Sequence, residues 1–157
     1  MEKTLIIGFG NPGRVDDGLG PSCIKMLENL NLNENYFTLD SDYQLTLETS
    51  FEIAEHDEVI FIDASISPEE PFYFKPVLES KEEGFSTHSI SPEALMQLTR
   101  CLYDKAPKAT MLGIKGYHFD EFGEYLSIKA EENLNRAFNF LKAYLLNKTL
   151  QQQTKTN

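Results

Sequence analysis

Two adjacent acids sit in a glycine-rich stretch near the start of the chain, Gly8-Phe9-Gly10-Asn11-Pro12-Gly13-Arg14-Val15-Asp16-Asp17-Gly18-Leu19-Gly20. A third acid, Asp63, ends the apolar run Val59-Ile60-Phe61-Ile62, and His88 lies in the polar stretch Ser86-Thr87-His88-Ser89. Carboxylates and an imidazole are oxygen and nitrogen donors for a divalent ion, and they are also proton-transfer groups. Each has a plainer reading. Acids in the first turn of a helix are stabilised by its dipole, by about 0.3–1 kcal/mol. That accounts for one acid, Asp16, but not for two in a row in a glycine-rich loop. Asp63 needs a partner because burying a lone carboxylate is costly, and backbone amides of a loop would serve. A loop histidine such as His88 is, taken alone, a surface residue. His56 reads as a solvated turn residue and His118 as structural or exposed.

Other chemistries lack their residues. There is no HExxH and no GxSxG. Gly8-Phe9-Gly10-Asn11-Pro12-Gly13 matches GxGxxG, but Asp16 and Asp17 at the helix entrance would repel a pyrophosphate. Asp40 lies 27 residues beyond Gly13, further than the roughly 20 residues of a ribose-binding acid. Cys23 and Cys101 fall at helical positions that suit a core.

These residues need a scaffold, and the apolar pattern supplies one. Thr4-Leu5-Ile6-Ile7 reads as a buried parallel strand, and Leu19, Cys23, Met26, Leu27 and Leu30 follow at helical spacing, with Pro21 near the helix start. Tyr36 to Leu39 is a second strand. Leu47, Phe51 and Ala54, with Ile53, mark a second helix, and Val59 to Ile62 a third strand. Phe72-Tyr73-Phe74, between Pro71 and Pro76, is an edge strand. Residues 79–90 read as a loop. Ser91-Pro92 opens a helix whose buried stripe is Leu95, Leu98 and Leu102. Ala109 to Ile114 is a strand, and Leu134, Phe138, Leu141 and Leu145 mark a long last helix. This alternation predicts an α/β fold, a three-layer α/β/α sandwich with a mostly parallel sheet of about five strands. Residues 1–148 form a single domain, and 149–157 read as a polar, disordered tail. Ligand sites of such folds gather at the carboxyl ends of the strands, where the glycine-rich stretch and Asp63 fall.

Composition narrows the partners. The chain has 157 residues, with 25 acids against 14 Lys and Arg, for a net charge of −11. Residues 31–64 hold nine of the acids and no Lys or Arg. Such a surface disfavours nucleic acid and anionic membranes, and its field predicts steering of a cation or basic peptide tail towards a nearby cleft. No apolar run approaches the roughly 18 residues of a membrane span. Met1-Glu2-Lys3 runs straight into a strand pattern, and two cysteines make no disulfide framework, so the expected location is cytoplasmic.

Taken together, the motifs resemble the maturation endopeptidases of [NiFe] hydrogenases. Gly10-Asn11-Pro12-Gly13-Arg14-Val15-Asp16-Asp17-Gly18-Leu19-Gly20 is similar to the family's GNxxxxDDGxG signature, and Ile62-Asp63-Ala64 to its VDA strand end. Thr87-His88-Ser89-Ile90-Ser91-Pro92 resembles its histidine loop, while Gly113-Ile114 and Gly123-Glu124-Tyr125-Leu126-Ser127 fit its later pattern. The resemblance implies that Asp17, Asp63 and His88 are catalytic and contact a metal, with Asp17 standing where some members have Glu. It implies Ni²⁺ brought by the substrate, with Zn²⁺ able to substitute. It further implies cleavage of the C-terminal extension from a hydrogenase large-subunit precursor by a monomeric protease. Tyr43-Gln44-Leu45-Thr46-Leu47-Glu48 and Ser91-Pro92-Glu93-Ala94-Leu95 resemble members that serve soluble hydrogenases. A nickel- or precursor-binding chaperone that no longer cleaves is the non-enzymatic alternative. Peptidyl-tRNA hydrolase shares Gly10-Asn11-Pro12-Gly13, but it needs an early histidine and a basic surface, and neither is present.

Overall fold

The computed structural model describes residues 2–80 and 90–156. Along the chain run β1 (Thr4–Phe9), α1 (Leu19–Glu28), β2 (Phe37–Asp42), α2 (Thr49–Ala54), β3 (Glu58–Ser65), β4 (Phe72–Pro76), α3 (Pro92–Tyr103), β5 (Lys108–Lys115) and α4 (Ile128–Lys155). The strands form one sheet in the order β2-β1-β3-β5-β4. β1 pairs in parallel with β2 and β3, β3 in parallel with β5, and β4 antiparallel with β5. This is the α/β sandwich read from the sequence, with proline-bounded β4 at an edge.

β1 and β3 are continuous apolar runs because both of their faces are covered. Ile6, Ile60, Ile62, Leu112 and Ile114 meet α1 and α4 on one face. Leu5, Ile7, Val59, Phe61 and Ala109 meet α2 and α3 on the other. Ser91 caps α3, its hydroxyl accepting the Ala94 amide at 3.1 Å, with Pro92 in the first turn.

Several sequence expectations change. Residues 149–155 are helical rather than a disordered tail, since α4 continues to Lys155. Propagating an existing helix is easy for good formers such as Gln and Lys. In addition, Gln152 is buried and its side-chain amide donates to the Glu2 carbonyl at 3.1 Å. Leu102 is 60% exposed and Cys101 is exposed, so α3 buries Leu95, Met96 and Thr99 instead. The second helix, α2, starts only at Thr49; its Ile53 is buried, while Phe51 is 53% exposed and Leu47, before the helix, 56% exposed. His56 is not a free turn residue. Its Nδ1 lies 2.7 Å from the Glu52 carbonyl and its Nε2 2.9 Å from the Thr38 hydroxyl, tying α2 to β2.

At the amino end of β3, Glu58 is buried against α4, where the Tyr144 hydroxyl donates to it at 2.8 Å and Lys148 forms an ion pair with it. Removing one partner of a buried pair leaves an uncompensated charge, while removing both is far cheaper. Lys148→Met should therefore cost about 3 kcal/mol in urea unfolding, and Glu58→Gln added to it should restore most of that loss.

Candidate functional site

β1 lies between β2 and β3, so the chain leaves it in one direction through α1 and returns on its other side through α2. A ligand crevice forms where such connections diverge, outside the strands' carboxyl ends. The glycine-rich loop follows β1 there, and Asp63 lies near the end of neighbouring β3.

The two adjacent acids have opposite tasks. Asp16 is fully buried in a short 3₁₀ turn, Val15–Gly18. Its carboxylate accepts the backbone amides of Tyr117, His118 and Ser127 at 2.8, 3.0 and 2.8 Å, and the Ser127 hydroxyl at 2.8 Å. Burial pushes this carboxyl up, but the bonds from Ser127, Tyr117 and His118 outweigh it and hold it below its ordinary value. The dipole reading of Asp16 gives way to a long-range clamp. Ser127 also caps α4, so one side chain links the loop to the last helix. Backbone bonds reinforce the clamp, with Val15 N donating to Gly123 O and Gly123 N to Gly13 O.

Asp17 is half-buried and turns the other way. Its Oδ2 accepts the Asn11 amide at 2.9 Å. Gly10, at φ 138, passes so close that an added Cβ would stand 2.0 Å from the Asp17 carbonyl oxygen, so only glycine fits. Val15 takes φ 51, a strained value for a β-branched residue. This loop is thus held in an unfavourable local shape by its long-range bonds.

Asp63 Oδ1 accepts the Ala64 amide at 2.8 Å. Burial, opposed by that hydrogen bond and assisted by the nearby charge of Asp17, pushes the Asp63 carboxyl up to about 7. The charge of Asp17 thus reaches Asp63, the two acids that the motif resemblance names together. His88 lies outside the described residues. Ile90, which is described, is buried in the cluster with Phe61 and Leu95, on the same face of the sheet as Asp63. Among the described residues no three His, Cys, Asp or Glu side chains group as a metal cage. His118 is exposed.

The nine-acid segment divides. Asp40 and Asp42 stand at the carboxyl end of β2, where a groove of about 210 Å³ is lined by Gly10, Pro12, Pro21 and Tyr43. Burial raises the Glu52 carboxyl, with Asp40 adding to the rise, His56 opposing it and Asp42 adding further. Asp57 and Glu58 lie at the opposite end of the sheet. Only part of the acidic segment therefore faces the crevice. Sequence reasoning missed Ser127 and the amides of 117 and 118, because nothing local marks a partner more than a hundred residues away.

Asp16→Asn should cost about 2–4 kcal/mol in chemical denaturation at neutral pH, since charged hydrogen bonds are lost, while Asp17→Asn should cost under about 1 kcal/mol. Asp63 works in the other direction. Its folded value is raised, so the folded state binds the proton more tightly, and the stability this contributes is full below about pH 4 and lost as pH rises through 7. Asp63→Asn should therefore be more stable than the parent at pH 8, by on the order of 2 kcal/mol, and the gap should close towards pH 4.

No protein-family model matches the sequence, and no curated protein matches it either. Solved structures do match. The hydrogenase maturating endopeptidase HybD from E. coli is 18% identical, with 93% of each chain covered and a TM-score of 0.75. The [NiFe] hydrogenase maturation protease HycI from Thermococcus kodakarensis KOD1 is 22% identical, with 92% of each covered and a TM-score of 0.70. HybD from Thermococcus kodakarensis, also a [NiFe] hydrogenase maturation protease, is 16% identical over 91% of this chain and 99% of its own, with a TM-score of 0.60. The crevice between β1 and β3 thus belongs to a chain with the fold of the [NiFe] hydrogenase maturation proteases.

Proposed function

We propose that this chain is a hydrolase that matures a [NiFe] hydrogenase, removing the C-terminal extension of the large-subunit precursor after nickel insertion. The observation that carries the reading is the pairing of Asp17, in the loop after β1, with Asp63, near the end of β3, at the switch point of the sheet, where the charge of one raises the other. Two like charges are held close only at a cost, and a cation relieves that cost. The fold likeness and the motif resemblance agree with this reading.

In this reading nickel reaches the crevice as part of the substrate. Asp17 and Asp63 each have one carboxylate oxygen on a backbone amide, which orients the other oxygen as a donor. His88 supplies a nitrogen donor. Such a donor set accepts Ni²⁺ and would also accept Zn²⁺. A metal ion so placed polarises a peptide carbonyl. The protein's own contribution is to align the precursor's terminal segment across the carboxyl ends of β1 and β3. Asp40 and Asp42 add negative potential that draws a cationic substrate inward. No helix among the described residues is long and apolar enough to cross a membrane, and the reading places the protein in the cytoplasm as a monomer.

The test is to incubate the protein with nickel-loaded and nickel-free precursor and weigh the large subunit by mass spectrometry. Loss of a C-terminal peptide from the loaded form alone is expected. Asp17→Asn should fold and lose at least about 100-fold of the processing rate, a loss of about 2.7 kcal/mol of transition-state stabilisation. Tight binding with no change in mass would instead make the protein a precursor chaperone.

A further inference from the structure

The three most exposed large apolar side chains among the described residues are Phe122, Ile128 and Ile66, at 84%, 81% and 80%. A single exposed apolar residue is ordinary, but these three share one end of the molecule. Ile66 directly follows β3, the strand that carries Asp63. Ile128 opens α4, whose far end meets Glu2 through Gln152, so α4 starts at the carboxyl end of the sheet. Phe122 lies under the Arg14 guanidinium, which stands 5.6 Å from its ring centroid, and so rests against the glycine-rich loop. All three therefore border the end of the sheet where Asp17 and Asp63 lie.

Hydrogen bonds and ring contacts join them into one rim. The Lys115 ammonium donates to the Ile66 carbonyl at 3.1 Å and lies 5.7 Å from the Tyr117 ring centroid. Lys129, next to Ile128, lies 5.0 Å from the centroid of the same ring. The Tyr117 hydroxyl donates to Glu70 at 2.7 Å, and Glu70 pairs with Lys129 at 3.3 Å. These polar groups are occupied within the rim, so its isoleucines are what it offers a partner. Gly123, beside Phe122, donates to the Gly13 carbonyl and accepts the Val15 amide, so the backbone next to Phe122 is held by the glycine-rich loop. Exposed apolar groups gathered beside a cleft mark a contact site for another protein.

The crevice narrows the choice of occupant. Asp40 and Asp42 stand at the same end of the sheet, on β2, and the chain carries −11 overall, so this face repels an anionic membrane. A second copy seated on the rim by a two-fold axis would cover the crevices of both copies. A protein whose tail enters the crevice must carry its body over this end of the sheet. Resting on the reading of the crevice as the place where a precursor's tail is cut, we propose that Ile66, Phe122 and Ile128 form the docking surface for that precursor's folded body, which meets them with an apolar patch of its own. Such contacts are equally strong before and during cleavage, so they act on affinity and not on the chemical step.

The experiment compares the parent, Phe122→Ser, a triple variant with Ile66→Ser, Phe122→Ser and Ile128→Ser, and a control with Leu146→Ser and Leu150→Ser, whose exposed leucines lie towards the other end of α4. On nickel-loaded precursor the triple variant should raise KM at least about 10-fold with kcat little changed. Phe122→Ser should give part of that rise and the control none. Urea midpoints should match the parent, because the side chains removed are solvated. An unchanged KM in the triple variant overturns the proposal, and so does an equal rise in the control. Should the triple variant unfold early, the KM of Phe122→Ser decides by itself. A parent that binds the precursor without cutting it overturns the protease reading alone, and the Kd values of parent and triple variant then decide the docking surface. A parent that neither binds nor cuts the precursor overturns both.

Discussion

Four hydrogen bonds converge on the buried carboxylate of Asp16, and the site stands on them. They join a loop near the start of the chain to the segment that opens the last helix, and so they close the top of the α/β/α sandwich. Together with the backbone bonds to Gly123, they hold Val15 in its left-handed conformation and keep Gly10 against the backbone of Asp17. The clamp satisfies Asp16 and leaves Asp17 free for the crevice. In a pair of adjacent acids, one is spent on structure so that its neighbour has a fixed direction.

Topology does the rest of the positioning. Because β1 and β3 are adjacent and parallel, their carboxyl ends emerge side by side. A carboxylate after one and a carboxylate at the end of the other must then meet, whatever the intervening α1, β2 and α2 contain. Rigid strands buried on both faces supply the precision, and loops supply the chemistry.

Much of this was legible in the sequence, for physical reasons. Buried parallel strands must be continuously apolar, so β1 and β3 could be read directly, and with them the places where Gly8 and Asp63 end the apolar runs. Asp17 and Asp63 were named together by the motif resemblance, and the gathering of ligand sites at strand ends agrees with it. What was not legible is what depends on distant partners. The role of Asp16 rests on Tyr117 and Ser127, more than a hundred residues away. The α3 stripe was misread at Leu102 because helical spacing marks a face without saying where the covering layer stops. The end of α4 was misread because polarity suggests solvent, whereas Gln152 packs beside Glu2.

β3 carries a buried or half-buried acid near each of its ends, and they are treated oppositely. Glu58 has a lysine and a phenol from its own chain. Asp63 has one backbone amide and a second acid for a neighbour. Near neutral pH Asp63 still competes for a proton, so a cation settling there must displace it, and binding releases acid to the solvent. A free ion arriving alone meets that competition with few ligands of its own. An ion already held by a folded partner brings further ligands and contacts with it. On the proposed reading, the uneven treatment of one strand's two ends would make the crevice a poor store for loose metal and a good inspector of metal already in place.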